Sequence, residues 1–206
     1  MEPASGVWER DYSRRGKIWA GPVHSLPALP ASSRVLELGC GNGKTTTALV
    51  RNGWNIVAVD FSHQAVSLCK SVTGISERGE ICTSDARHLP FCDGSFDAVI
   101  AIHIIGHLAA HERKQVITEA FRVLRPGGTL IFRDFSLDDF RFGSGVEVET
   151  RTFRRGTGIL THYFTEDETL SLFSAFNPVS LQTDKWVMRV RGRDLVRAEI
   201  AAIFTH

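Results

Sequence analysis

Seven residues, Glu37-Leu38-Gly39-Cys40-Gly41-Asn42-Gly43, carry the strongest chemical signal in this 206-residue sequence. Glycines leave no Cβ in the way of a ligand and permit backbone angles that other residues avoid. The apolar run Val35-Leu36-Glu37-Leu38 reads as a buried strand, and Lys44 to Arg51 as a helix stopped by Asn52-Gly53. A strand, a glycine turn and a helix N-terminus present unsatisfied N–H groups and a partial positive charge to whatever binds there. Asp60 closes the next buried strand, Asn55 to Val59. In doubly wound sheets an acid at that place accepts hydrogen bonds from ribose hydroxyls.

The spacing separates the ligands that use such a loop. A dinucleotide loop asks for G-x-G-x-x-G, and the third glycine here does not fit. A phosphate-binding P-loop is excluded too: Lys44-Thr45 follows Gly43, but the four-residue spacer between outer glycines is missing. S-adenosylmethionine has no phosphate and carries an ammonium and a sulfonium. Glu37, just before the glycines, suits such a cation.

The elements that hold this loop alternate. Ser62 is a candidate N-cap for a helix running to about Val72. Glu80 to Thr83 reads as a weak strand, and Phe96 to Ile102 as a strong one entered through Asp93-Gly94-Ser95. Glu112 to Leu124 has helical spacing and ends at Pro126-Gly127-Gly128, before the strand Thr129 to Phe132. This alternation predicts a parallel sheet covered by helices on both faces. Later, Val146–Phe153 and Ile159–Phe164 read as a hairpin around Arg154-Arg155-Gly156-Thr157-Gly158. Thr165 caps a helix with Glu168 completing a capping box, and strands follow near Val179–Val190 and Leu195–Phe204.

In five ordered segments the chain resembles the class I S-adenosylmethionine-dependent methyltransferases. These are Val35 to Thr46; Val57-Ala58-Val59-Asp60; Asp85-Ala86 with Leu89-Pro90-Phe91; Phe96 to Ile100 with His107-Leu108; and Arg122 to Gly128. The match covers roughly 33–135. It implies a Rossmann-like, seven-stranded α/β fold: a mostly parallel sheet with an antiparallel last strand, here with an added β-hairpin. One domain over 1–206 is expected, with 1–32 as an N-terminal lid or linker, 33–135 as the cofactor-binding core and 136–206 as the acceptor side. The cofactor implied is S-adenosyl-L-methionine, with Glu37, Gly39, Cys40, Gly41, Asn42, Gly43, Asp60, Phe61, Asp85, Ala86 and Ile102 as its binding residues. Asp85 occupies the place of the acid that meets the adenine amino group. Cys40 reads as a small filler rather than a nucleophile, and Phe61 either stacks on adenine or packs in the core.

Methyl transfer is an in-line displacement from a good leaving group, so the protein mainly aligns the reactants and keeps them dry. A base is needed only where the nucleophile carries a proton. Ligands in this fold sit beyond the carboxyl ends of the strands, which places His103, His107 and Asp134 near the transferred methyl. His103 is the candidate base; His107 is read as a hydrogen-bonding core residue. Trp8, Tyr12 and Trp19 either cover the cofactor or belong to a helix packed on the domain.

The acceptor is less legible. The N-P-P-Y type segment of enzymes that methylate exocyclic adenine amines is replaced by Ala101-Ile102-His103-Ile104. Two C-terminal stretches, Thr161-His162-Tyr163-Phe164-Thr165 and Val190 to Arg197, are similar to segments of tRNA-modifying methyltransferases, including those making 3-methylcytidine. Arginines there could contact phosphate. The net charge of +1, with 23% charged and 43% hydrophobic residues, argues no strong field toward nucleic acid. A small-molecule acceptor is therefore the leading expectation, with tRNA or protein as the alternative and a non-catalytic cofactor-binding protein as a third. Four cysteines without a C-x-x-C pair argue against zinc and fit reduced thiols. The N-terminus lacks a signal-peptide pattern, and the longest apolar run, Ala98 to Ile102, is too short for a bilayer. A cytoplasmic enzyme without metal is expected.

Overall fold

The computed structural model describes residues 4–16, 26, 28–74 and 79–206. Trp19 and parts of the proline-bearing stretch 21–33 lie outside them. The chain opens with α1 (Ala4–Arg15), then alternates β1 (Arg34–Leu38), α2 (Lys44–Arg51), β2 (Asn55–Asp60), α3 (His63–Thr73), β3 (Gly79–Thr83) and β4 (Phe96–Ile102). A short 3-10 turn (Ile105–His107) leads to α4 (Ala110–Val123) and β5 (Leu124–Phe135). Then come β6 (Val146–Glu149), β7 (Thr152–Arg154), β8 (Leu160–His162), α5 (Glu166–Leu172), β9 (Asn177–Val190) and β10 (Arg193–Thr205).

Seven strands form one sheet in the order β3-β2-β1-β4-β5-β10-β9. Neighbours from β3 to β5 pair in parallel, and β10 pairs antiparallel with both β5 and β9. The Rossmann-like methyltransferase topology, with its reversed last strand, is thus present. Strand alternation splits the core into two layers. Leu36, Leu38, Val57, Val59, Val99, Leu130 and Phe132 pack with Val116 and Val123 of α4 and with Phe173 and Phe176. Val35, Ile56, Ala58, Ala98 and Ile100 pack on the other side with Leu49 of α2 and Val66 and Cys69 of α3.

Caps fix the helices that frame the site. The Ser62 hydroxyl accepts from the Ala65 N–H and donates to Glu9 of α1, at 3.1 and 2.6 Å, so the N-terminal helix is tied to the start of α3. Trp8 and Tyr12 are buried there with Ala65, beside Phe61. Of the two readings of this aromatic segment, it forms a helix packed on the domain; Trp8 and Tyr12 also line the cavity described below.

Three local expectations are corrected. The late hairpin is a three-stranded sheet, β6-β7-β8. Arg151 takes a left-handed φ of 60° and folds what reads as one strand into two. Thr165 caps α5 by accepting from the Glu168 N–H, but no capping box forms. The Glu168 carboxylate instead accepts from the buried His162 at 2.9 Å and pairs with the half-buried Arg151 at 3.2 Å. Finally, β5 begins at Leu124 and carries Pro126-Gly127-Gly128 within it, with an irregular register where it leaves Phe96.

Candidate active site

A cavity of about 430 Å³ opens beyond the carboxyl ends of β1, β2 and β4. Its first end is built from the glycine loop. Gly39 and Gly41 have φ of 71° and 51°, and a Cβ on Gly41 would stand 2.7 Å from the Tyr12 hydroxyl. The N–H groups of Gly39 and Cys40 donate to the Val59 carbonyl at 2.8 and 2.9 Å, which locks the turn against β2. Asp60 finishes the lock: its carboxylate accepts from the N–H groups of Gly41 and Ser62, both at 3.0 Å. Burial pushes Asp60 up to about 6, although the Ser62 and Gly41 N–H groups pull the other way. Each carboxylate oxygen accepts more than one donor, so a ribose hydroxyl can share these atoms.

Cys40, Asn42, Asp60, Phe61, Asp85, Ala86 and Ile102 line the same end, as do Gly39 and Gly41. Cys40 is a filler: its hydrogen bond with Cys69, together with burial, raises its pKa and keeps the thiol neutral. Asp85 reaches the wall inside an ion cluster. Arg87 donates to both of its oxygens and turns its other terminal nitrogen to Glu112 of α4. Burial raises the Asp85 pKa, but the Arg87 bonds outweigh it and hold the carboxyl below its usual range.

Two expected residues lie off the wall. Glu37 shares its strand face with Val35, so it points under α2 and accepts from the Thr46 hydroxyl at 2.6 Å. Burial pushes its pKa up to about 8, against the Thr46 bond. In this arrangement the carboxyl sits beneath the loop, bonded to Thr46. Gly43 also faces inward: a Cβ there would meet Val72 and Cys69 of α3 at 2.7 and 3.2 Å. It serves packing of the loop on the helix layer.

The second end is made of side chains from distant segments: Trp8, His103, His107, Phe135, Trp186, Met188, Arg197 and Glu199. His103 follows β4 at φ 55°, a conformation rare outside glycine and worth reading as functional. Its ring stacks on Phe135 at 4.5 Å, its Nε2 is 3.2 Å from a Glu199 oxygen, and its Nδ1 is 3.8 Å from Asp134. Burial lowers the His103 pKa, but Asp134 and Glu199 together outweigh that and hold it above the ordinary value. The candidate base is on the wall, between the carboxylates of Asp134 and Glu199.

His107 also lines the cavity. Its Nδ1 donates to the Leu160 carbonyl at 2.6 Å, since a carbonyl only accepts, and burial keeps the ring neutral. Asp134 lies fully buried behind His103, accepting from the Gly106 N–H at 2.7 Å.

Trp186, Met188 and Glu199 were not among the sequence candidates, and Arg197 entered only as one of the arginines of the Val190 to Arg197 stretch. Their signal was present in the strand pattern. Trp186 and Met188 alternate on β9, Arg197 and Glu199 on β10, and Trp186 pairs with Arg197 in register. Glu199 stands alone as an acid in the run Ala198 to Phe204. Among the described residues there is no cluster of His, Cys, Asp and Glu able to hold a metal, and no helix long and apolar enough to cross a membrane.

A glycine cradle, a helix N-terminus and a buried acid facing one cavity fit S-adenosylmethionine. Residues 36–132 match the methyltransferase domain family. Over 202 residues, 89% of the chain, it is 30% identical to the tRNA N(3)-methylcytidine methyltransferase Mettl2 of Drosophila melanogaster, of which it covers 61%. It is similar in structure to a SAM-dependent methyltransferase of Methanosarcina mazei (TM-score 0.71, 24% identity, 86% of this chain and 93% of that one). It is also similar to the 1,6-didemethyltoxoflavin-N1-methyltransferase of Burkholderia thailandensis (TM-score 0.62, 21% identity, 100% and 78%). The two structural likenesses establish the fold. The chain spans between about half and three-fifths of the length of the animal relatives it matches.

Proposed function

We propose that this chain transfers the methyl group of S-adenosylmethionine to N3 of a cytosine in tRNA. This replaces the small-molecule acceptor as the leading reading. The observation that carries it is the extent of the similarity to the fly tRNA enzyme. It runs over 89% of the chain, and so takes in acceptor-side elements as well as the cofactor half.

The chemistry of the second end supports the same acceptor. Cytosine N3 offers a lone pair and carries no proton at neutral pH, so its methylation needs no base. That suits a wall where Asp134 and Glu199 raise the His103 pKa above its ordinary value. The faces of Trp8, Phe135 and Trp186 suit a base taken out of its stack. Bound S-adenosylmethionine supplies an activated methyl group. Asp60 and the loop N–H groups position it, while the aromatic faces orient the base and exclude water. The exposed tip between β9 and β10, with Arg191 and Arg193, supplies phosphate contacts.

One observation favours a second reading, transfer to a hydroxyl or amine of a small molecule. With Nδ1 donating to Leu160, neutral His107 has Nε2 as an acceptor and could take a proton.

The deciding experiment incubates the purified chain with labelled S-adenosylmethionine and unmodified tRNA, then resolves the nucleosides by mass spectrometry. Label in 3-methylcytidine is the expected result. Label confined to small molecules of a cell extract, with none in tRNA, would overturn the proposal.

A further inference from the structure

Glu199 sits where a charge is costly. The strand around it is apolar, with Ala198, Ile200, Ala202 and Phe204 buried, and Glu199 itself is 2% exposed. Removing a carboxylate from water costs several kcal/mol in general unless partners repay it. Cationic side chains stand around it, and each also faces a second acid. Arg133 reaches one oxygen at 3.3 Å but holds Asp184 at 2.8 Å. Arg197 stands 3.8 Å from the other oxygen but binds Asp139 at 2.6 Å. His103 is shared with Asp134.

A purely structural ion pair belongs away from the ligand. Glu199 instead lines the cavity, beside the ring of Phe135 and near that of Trp186. A carboxylate beside flat apolar faces is a site for a planar ring that carries an N–H donor on its edge. The phosphate-seeking cations of the tip lie elsewhere, so this acid serves the base and not the backbone.

We infer that Glu199 reads the exocyclic amino group of the acceptor cytosine and so selects cytosine over uracil. The inference rests on the reading of the chain as a tRNA cytosine methyltransferase. Cytosine carries its amino group next to N3, so a carboxylate that accepts from the amine also aims N3. Carboxylates accept from this amine wherever proteins read cytosine directly. Uracil presents a carbonyl oxygen at the same place, which a buried carboxylate repels, and its N3 holds a proton instead of a lone pair.

The bond also strengthens during the reaction. The N3 lone pair forms the new N–C bond as the C–S bond breaks, and the sulfur keeps that electron pair. No proton leaves, so the base gains one positive charge, which spreads onto the amino group. An amine that becomes more positive donates more strongly to Glu199, and an interaction that grows toward the transition state raises the rate.

The test uses the full chain, wild type and Glu199→Gln. The substrates are two ligated tRNAs carrying cytosine or 4-deamino-cytosine (2-pyrimidinone) at the position that the wild type methylates. For wild type, kcat/KM should favour cytosine by about 10- to 100-fold, the worth of a charge-assisted hydrogen bond. Glu199→Gln should lose most of that on cytosine and little on the deamino base, so the preference collapses. Its Kd for S-adenosylhomocysteine should stay within about twofold of wild type.

An equal loss on both bases would show that Glu199 only supports the fold, and an unchanged preference would show that another group reads the amine. If the variant does not fold, the wild type still decides: equal rates on the two bases overturn the role. A wild type that marks no cytosine at all overturns the tRNA reading itself, and the role of Glu199 with it.

Discussion

At one end of the cavity the wall is largely backbone; at the other it is side chains. The glycine loop is held by N–H bonds to Val59 and Asp60, all within residues 39–62. The other end draws Trp8 from α1, His103 from just after β4, Phe135 from β5 and Trp186, Arg197 and Glu199 from the β9–β10 pair. A backbone cradle tolerates few sequences, because glycine alone takes the required angles at low cost. A side-chain wall can be rewritten one residue at a time, which lets one cofactor half serve many acceptors. The two ends should therefore fail differently when broken.

The largest effect is expected from Gly41→Val. The loop needs φ 51° there, and the new Cβ would press on the Tyr12 hydroxyl at 2.7 Å. Calorimetry with S-adenosylhomocysteine should show binding weakened by about 100-fold or more, from backbone strain and steric displacement together. tRNA binding should hold within about twofold. A variant that bound the cofactor normally would show that the backbone does not form that end.

Asp60→Ala comes next. It removes a charged acceptor and the clasp on the Gly41 N–H, so the cofactor Kd should rise about 10- to 100-fold. The same carboxyl titrates near 6 because it is buried. Wild-type cofactor affinity should therefore fall as pH drops through 6, where protonation removes the anionic acceptor, and the Ala variant should not show that fall. A matching fall in both proteins would assign the titration to another group.

Trp186→Ala tests the opposite end and should be smaller. Stacking of one base on an aromatic ring gives about 1–3 kcal/mol, so KM for tRNA should rise about fivefold or more. The cofactor Kd should not move. A parallel rise in both constants would mean that the ends are not separable.

The same contrast explains what the sequence made readable. The glycine loop, the Asp60 position and the alternation of strands and helices come from local periodicity and glycine spacing, and the structure has them at those places. Glu37 reads as a ligand contact from its closeness to the loop in sequence, and the face it shares with Val35 turns its carboxyl inward to Thr46. Glu199 and Trp186 escaped because they meet the pocket only after β10 pairs with β5, across more than sixty residues, and carries β9 beside it. Arg151 hid the third strand of the small sheet, since a left-handed arginine carries no sequence mark.

Glu37→Gln gives the smallest effect and the sharpest boundary between the ends. Burial raises the Glu37 pKa from 4.5 to about 8 in the folded chain. The folded state therefore binds the proton more tightly than the unfolded state between those values. The stability this proton contributes is fully present below pH 4.5 and is lost as pH rises through 8. One such group changes stability by at most about 1.4 kcal/mol per pH unit in that window. Glutamine keeps a neutral partner for Thr46 and has nothing to titrate. Urea unfolding between pH 5 and 8.5 should show the variant gaining on wild type as pH rises, with cofactor affinity nearly unchanged throughout. A variant with the wild-type pH slope would move the titration elsewhere. One whose cofactor affinity dropped tenfold would return Glu37 to the ligand, and with it a side chain to the end that backbone otherwise builds.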